Sequence, residues 1–318
     1  MIFTRALTAP LLSLSLLTLL SCGNSGEGEG GRVLATTSPP LSWAAKAVAG
    51  PGWEVVTMLP DGADPETYEP TLATMRDLAS SRALFTFDTP GFEENLSETA
   101  GHNFASLRLV NVGEGIPRLE DTHHHDHHHG HDAEDEHGNH DHDDYDPHLA
   151  TTPFNMRIAV ANIGRAMAEI DPANAALYRH RADSVLEHLD SLDARLMREL
   201  APSRGRAFVM MHPSLSYFAR RYGLRQLTLG RKGAEESPAE YARRVGEARG
   251  AAVMVAETSQ DPMRARETAR TLGVPLVTVP LNSEHWQDAL LQISSFINQC
   301  HRSSSYPTSR RDTSATRY

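Results

Sequence analysis

The chain has only two cysteines in 318 residues, Cys22 and Cys300, and that scarcity excludes a disulfide scaffold. With Cys22 committed to a lipid, as argued below, no internal disulfide is possible even in an oxidising compartment, so packing must hold the fold. Basic residues are also in deficit. The balance of 30 Lys and Arg against 41 Asp and Glu gives a net charge of −11, which argues against a nucleic-acid partner. No apolar run reaches the ~20 residues that a membrane span needs. Also missing are HExxH, a nucleophile elbow and a paired-carboxylate signature, so no motif supplies a general base for hydrolysis.

What is present starts at the N-terminus. Arg5, an apolar run from Leu11 to Leu20 and the ending LLSC at Cys22 read as a secretory signal over residues 1–21 with a lipoprotein-type end. Ser21 before Cys22, Leu19 three residues before it and the flexible 22–31 tether favour acylation of Cys22 over an ordinary signal with an incidental cysteine. The mature chain is then expected outside the cytoplasm, hung from a bacterial membrane by its lipid anchor, in the periplasm of a two-membrane cell. The polar, basic ending at 301–318 reads as a disordered tail.

The densest signal lies in the middle. Residues 123–142 hold ten of the seventeen histidines, interleaved with Asp and Glu, inside a loop spanning 121–144. Imidazole suits Zn, Cu and Ni, and the acids draw in a divalent cation, so the stretch reads as a metal-collecting loop rather than a plain solvated linker. Its capture should weaken on acidification, since an unperturbed histidine titrates near ~6.5.

Around that loop, short apolar runs alternate with amphipathic stretches. Strands are expected at 32–37, 53–59, 83–87 and 107–112, with helices near 40–49, 70–81 and 91–100. The rhythm returns after residue 204 with GRAFVMM, LRQLTL, AAVMVA and VPLVTV and helices near 214–222, 238–249 and 262–272. The fold class is therefore α/β, with two parallel-sheet lobes at 32–170 and 201–300. Between them, residues 171–200 keep a helical stripe through Leu177, Val185, Leu189, Leu192, Leu196 and Leu200, with Asp171 as cap and Pro172 in the first turn. This reads as a rigid strut joining the lobes. A coiled-coil dimer is the alternative, but the stripe lacks a sustained heptad, so a monomer is expected.

Ligands of open α/β sheets gather outside the carboxyl ends of the strands, so polar residues just past the strands are the candidates. Glu66 in PDGADPETYEPT, His148 in YDPHLATTP and His212 in MMHPSLSYFARRYGL stand out. Singly each is weak, because a histidine or glutamate there is more often a cap or a solvated loop residue. Together two imidazoles and a carboxylate form a mixed set that suits Zn.

These segments, with FDTPGFEENL and AETSQDP, follow the order and spacing of a known group. From Cys22 to about Cys300 the chain resembles the zinc/manganese solute-binding lipoproteins of metal ABC importers, and the His-rich loop resembles that of the zinc-importing branch. The resemblance implies a metal in the cleft between two lobes, a strut that limits lobe motion, and Glu66, His148 and His212 as ligands, with no catalytic residue. It also implies a membrane permease as partner. Two departures stand out: Glu66 replaces the usual histidine, and Val279 stands where many members place an Asp before Pro-Leu. The fourth position is left to water, His285, Glu284 or Glu257. Asp146 is expected behind His148 as its orienting carboxylate, with a simple turn residue as the plainer reading. The leading expectation is a high-affinity zinc receptor. The alternatives are a receptor for manganese or another divalent metal, a metal-dependent hydrolase, and an adhesin or metal-storage lipoprotein.

Overall fold

The computed structural model describes residues 31–63, 65, 68–120, 145–230 and 237–304. Cys22, Glu66, the His-rich residues 121–144 and the tail beyond Ser304 lie outside the described residues.

The first lobe runs β1 (Val33–Thr36), α1 (Pro39–Ala49), β2 (Glu54–Thr57), α2 (Leu72–Ala79), β3 (Ala83–Thr86), α3 (Phe92–Asn103) and β4 (Arg108–Asn111). A short 3-10 turn at Leu149–Thr151 leads into α4 (Pro153–Ile170), and a second at Pro172–Asn174 leads into α5 (Ala175–Leu200). The second lobe follows as β5 (Ala207–Met210), α6 (Ser216–Tyr222), β6 (Arg225–Thr228), α7 (Pro238–Ala248), β7 (Met254–Glu257), α8 (Pro262–Leu272), β8 (Leu276–Val279) and α9 (Trp286–Ser304). Both sheets are parallel, ordered β2-β1-β3-β4 and β6-β5-β7-β8. The central strands are apolar on both faces: all four residues of β3 are buried, as a parallel sheet covered by helices on each side requires.

Asp171 does not cap the strut with its side chain. Its carboxylate accepts from Asn174 Nδ2 at 2.9 Å and Tyr178 Oη at 2.7 Å, and Asn174 occupies the cap position of α5. Two helices fall where no element was expected. α4 starts with Thr152 accepting from the Asn155 N–H at 3.1 Å and Pro153 in its first turn; α9 carries the chain to Ser304, beyond residue 300.

α4 and α5 pack closely enough that a Cβ on Gly164 would lie 2.8 Å from Ala182 Cβ, so this crossing requires glycine. One continuous core takes in Leu41 and Val48 of α1, Ile163 of α4, Leu189 and Leu196 of α5, Phe208 of β5, Phe218 of α6 and Leu290 and Ile293 of α9. Trp43 of α1 meets Trp286 of α9 edge to face at 5.7 Å, sealing one lobe onto the other. Each such side chain contributes about 1.5–3 kcal/mol by burial. A large hinge opening would expose several of them and cost a sizeable part of a domain's ~5–15 kcal/mol. The lobes are thus built to shift slightly, not to swing.

Candidate metal centre

In each sheet the chain leaves one central strand for one neighbour and returns on its other side, so the order reverses between β1 and β3 and between β5 and β7. The carboxyl ends at those reversals open a crevice. Here the two crevices face each other and form one cleft of ≈ 1020 Å³ whose walls include Thr37, Glu69 and Glu93 from the first lobe and His212, Ser214 and Glu257 from the second.

His212 stands two residues past β5. Its carbonyl accepts from the Ser214 N–H at 3.0 Å, and the preceding Met211 carbonyl accepts from the Gly230 N–H at 2.8 Å. A Cβ on Gly230 would fall 2.3 Å from that Met211 oxygen, so only glycine lets the exit from β6 brace the main chain beside His212.

His148 arrives from the first lobe at the cap of the 3-10 turn. Asp146 Oδ1 accepts from the His148 N–H at 2.9 Å and is bonded to His148 Nδ1 at 2.8 Å, while Thr151 Oγ1 donates to the His148 carbonyl at 2.8 Å. Asp146 is only 6% exposed. Burial by itself raises its pKa, but the hydrogen bond and charge of His148 outweigh it and hold the carboxyl below the usual carboxylate range. An ionised carboxylate can only accept, so a proton lies on His148 Nδ1, and whenever the ring is neutral its Nε2 lone pair is turned to the cleft.

There it meets the opposite lobe. His148 Nε2 and His212 Nε2 are 3.0 Å apart, with the rings at 67° and their centroids 4.9 Å apart. Two nitrogens on one tetrahedral Zn at ~2.0–2.1 Å stand about 3.3–3.4 Å apart, so a shift of a few tenths of an ångström, with the proton between the rings moved from His212 Nε2 to its Nδ1, converts this pair into a chelating one. Among the described residues no third His, Cys, Asp or Glu gathers with them.

The residues considered for a fourth position separate cleanly. Glu284 accepts from Ser42 Oγ at 3.1 Å and Lys46 Nζ at 2.5 Å, tying α1 to the second lobe away from the cleft lining. The His285 side chain is 78% exposed and lies 4.0 Å from Asp288. Only Glu257 lines the cleft, where it accepts from the Ser214 hydroxyl. Val279, fully buried, is its register partner on β8 and offers no oxygen.

Three residues not singled out from the sequence also shape the site. Glu93, buried in the cleft wall, accepts from Thr37 Oγ1, from the Thr89 N–H at 3.0 Å and from Thr89 Oγ1 at 2.9 Å; burial pushes its pKa up despite these bonds. Asn282 donates from Nδ2 to the Ala63 carbonyl at 3.3 Å, reaching from the second lobe to the loop that precedes Glu66. Tyr217 on α6 donates to the Asp146 carbonyl at 2.9 Å and accepts from the Leu119 N–H at 3.2 Å. Burial pushes its hydroxyl up to about 12, so it remains a donor at neutral pH.

Comparison with known proteins agrees with this architecture. The chain is 24% identical over 206 residues to the zinc-binding protein AdcA of Streptococcus pyogenes, covering 63% of this chain and 40% of the relative. It is 25% identical over 242 residues to the zinc-binding lipoprotein AdcA of Streptococcus pneumoniae, covering 72% and 44%. The chain thus spans about two fifths of the length of these curated relatives. A shorter stretch of 82 residues is 34% identical to the high-affinity zinc uptake system protein ZnuA of Brucella abortus, covering 26% and 25%. The crystal structure of a zinc-bound ZnuA deletion mutant shares the fold at a TM-score of 0.73 and 24% identity, covering 84% of this chain and 97% of the other. Zn(II)-bound AdcA of Streptococcus pneumoniae aligns at a TM-score of 0.66 and 20% identity, covering 84% and 57%. The profile of the ZnuA family, described as zinc-uptake complex component A, periplasmic, matches residues 33–297, which take in both lobes and the strut, and the chain belongs to that family.

Proposed function

We propose that this chain is the extracytoplasmic receptor of a zinc importer, capturing one Zn²⁺ in the inter-lobe cleft and delivering it to the membrane permease of an ABC transporter. The observation that carries the reading is the convergence of His148 and His212 from opposite lobes to 3.0 Å at Nε2, with a buried carboxylate fixing the tautomer of the first. Glu66 is the third donor in this reading, and water the fourth. The charges then close: Zn²⁺, ionised Glu66 and ionised Asp146 sum to zero around two neutral imidazoles, which limits the cost of burying the ion. Two nitrogens among three protein donors favour zinc over manganese, which prefers oxygen. The family description and the zinc-binding names of the AdcA and ZnuA relatives support the same metal and an uptake partner.

No bond is made or broken in this role. The His-rich residues 121–144 act as a low-affinity antenna that raises the local zinc concentration near the cleft. Cys22 carries the lipid, a reading supported by the lipoprotein designation of one AdcA relative, and the mature chain works as a monomer. The domain divisions follow the ranges given from the sequence, with 1–21 removed and the second lobe extended through α9 to Ser304.

Calorimetric zinc titration of the full mature chain tests this. One tight site followed by several weak ones is expected, and removal of residues 123–142 should abolish only the weak class. Loss of the tight site in that deletion would assign the primary site to the loop and refute the cleft reading. Cys22→Ser should release the protein from membranes; retention after a high-salt wash would contradict lipid anchoring.

A further inference from the structure

We infer that Tyr217 is a positioning residue that sets the spacing of the two imidazoles by bolting their separate main-chain segments together through one buried hydroxyl. The inference rests on the zinc reading above. Tyr217 lies five residues after His212, in the first turns of α6, and is 6% exposed. Its hydroxyl crosses to the first lobe, donating to the carbonyl of Asp146, the same residue whose carboxylate holds the His148 ring. It also accepts from the N–H of Leu119 at 3.2 Å. Leu119 and Asp146 are themselves paired, with the Asp146 N–H donating to the Leu119 carbonyl at 2.8 Å, and they flank residues 121–144 in sequence. One oxygen therefore fixes both chains at the base of the histidine-rich insertion to the helix that follows His212.

The physical need for such a bolt follows from where the ligands come from. A metal held by donors on two lobes experiences every relative displacement of those lobes as a change in ligand spacing, and the imidazole pair lies only a few tenths of an ångström from the separation a tetrahedral ion imposes. Side-chain packing alone leaves sliding motions of that size. A hydroxyl satisfied as donor and acceptor in a buried site does not, because breaking either bond strands a buried polar group without a partner.

Tyr222 supplies the matching control. It is buried on the same helix, and its hydroxyl donates to Asp193 Oδ1 at 2.9 Å on the strut, touching neither ligand-bearing segment. Tyr217→Phe and Tyr222→Phe each delete one buried hydroxyl and destabilise the fold, but only the first removes the bond from α6 to the Asp146 main chain, leaving the Ser216 side chain on the Asp146 carboxylate.

The test uses the full mature chain with at most one equivalent of zinc, so that the weak loop sites stay empty in competition with a tight chelator. Parent, Tyr217→Phe, Tyr222→Phe and His212→Ala are compared, with the visible spectrum of one equivalent of Co²⁺ reporting the coordination geometry. Tyr217→Phe should weaken zinc binding several-fold, by less than the ~10–100-fold that loss of a direct partner of a metal ligand costs, and alter the Co²⁺ bands. Tyr222→Phe should lower the unfolding temperature without changing either readout. An unchanged affinity and spectrum in Tyr217→Phe, or equal changes in both tyrosine variants, overturns the positioning role while leaving the cleft site standing. Retention of tight zinc in His212→Ala overturns the cleft site itself, and the role of Tyr217 with it.

Discussion

The two lobes repeat one strand order, yet they hold their imidazoles by different means. In the second lobe His212 follows β5 directly and is fixed by main-chain geometry: Ser214 bonds its carbonyl, and Gly230 presses on Met211 at a distance no side chain tolerates. In the first lobe His148 lies far in sequence from any strand and is fixed by side chains, through Asp146 behind the ring, Thr151 on its carbonyl and Tyr217 reaching across from the other lobe. The second arrangement is local and stiff. The first depends on long-range polar contacts, so outer-partner substitutions should act mainly through it.

The largest effect that would break this comparison is His212→Ala. On the proposed ligand set it leaves one imidazole and Glu66, and zinc affinity at one equivalent should fall by more than ~100-fold, beyond the range of outer-partner defects. Chelator competition that finds a loss under tenfold would remove His212 from the ligand set. Next comes Gly230→Val, which forces a Cβ against the Met211 carbonyl. Overpacking of this kind costs about 1–3 kcal/mol, visible in urea unfolding of the metal-free protein. If instead stability is unchanged, the main-chain brace of His212 is not rigid.

Asp146→Asn sharpens the other side. It keeps the shape behind His148 but removes the charge, so zinc affinity should drop by about tenfold or somewhat more. Unfolding stability should move little by comparison, and an unchanged affinity would mean that the carboxylate only shapes the turn. The smallest expected effect is at Glu93, whose pKa burial raises. A carboxyl with a raised folded-state pKa contributes stability that is fully present below its unfolded value of about 4.3 and is lost as pH rises through the folded value. The parent should therefore lose stability relative to Glu93→Gln between about pH 4.3 and neutrality. A difference that is flat with pH, or grows in favour of the parent, would show Glu93 to be an ordinary ionised cap.

The same contrast explains what could be read from the sequence. His212 was legible because a polar residue after a buried apolar run marks the carboxyl end of a parallel strand, and the βα rhythm located both sheets. The contact between His148 and His212 was not, since it depends on how two lobes dock; their residue types suggested a shared donor set, and the family resemblance placed that set in a cleft. Tyr217 carries no sequence signal: an aromatic at helical spacing reads as core, and its hydroxyl matters through residues 71 and 98 positions away. α4 has start signals in Thr152 and Pro153, but its many small apolar residues blur the stripe; ten of its residues are buried. Asp171, at the head of the strut, looked like a cap and instead anchors Tyr178 and Asn174. Glu66 remains an inference from sequence and family pattern.

The central claim is that one zinc ion is bridged between the lobes by His148 and His212. Zinc K-edge X-ray absorption of the full mature chain loaded with one equivalent addresses it directly. The account predicts two imidazoles by their outer-shell scattering, with oxygen completing a four-coordinate shell, and a collapse of that two-imidazole signature in His212→Ala. A parent spectrum with three or more imidazoles would place the ion in the histidine-rich loop, and a spectrum unaltered by His212→Ala would contradict the bridge between the lobes.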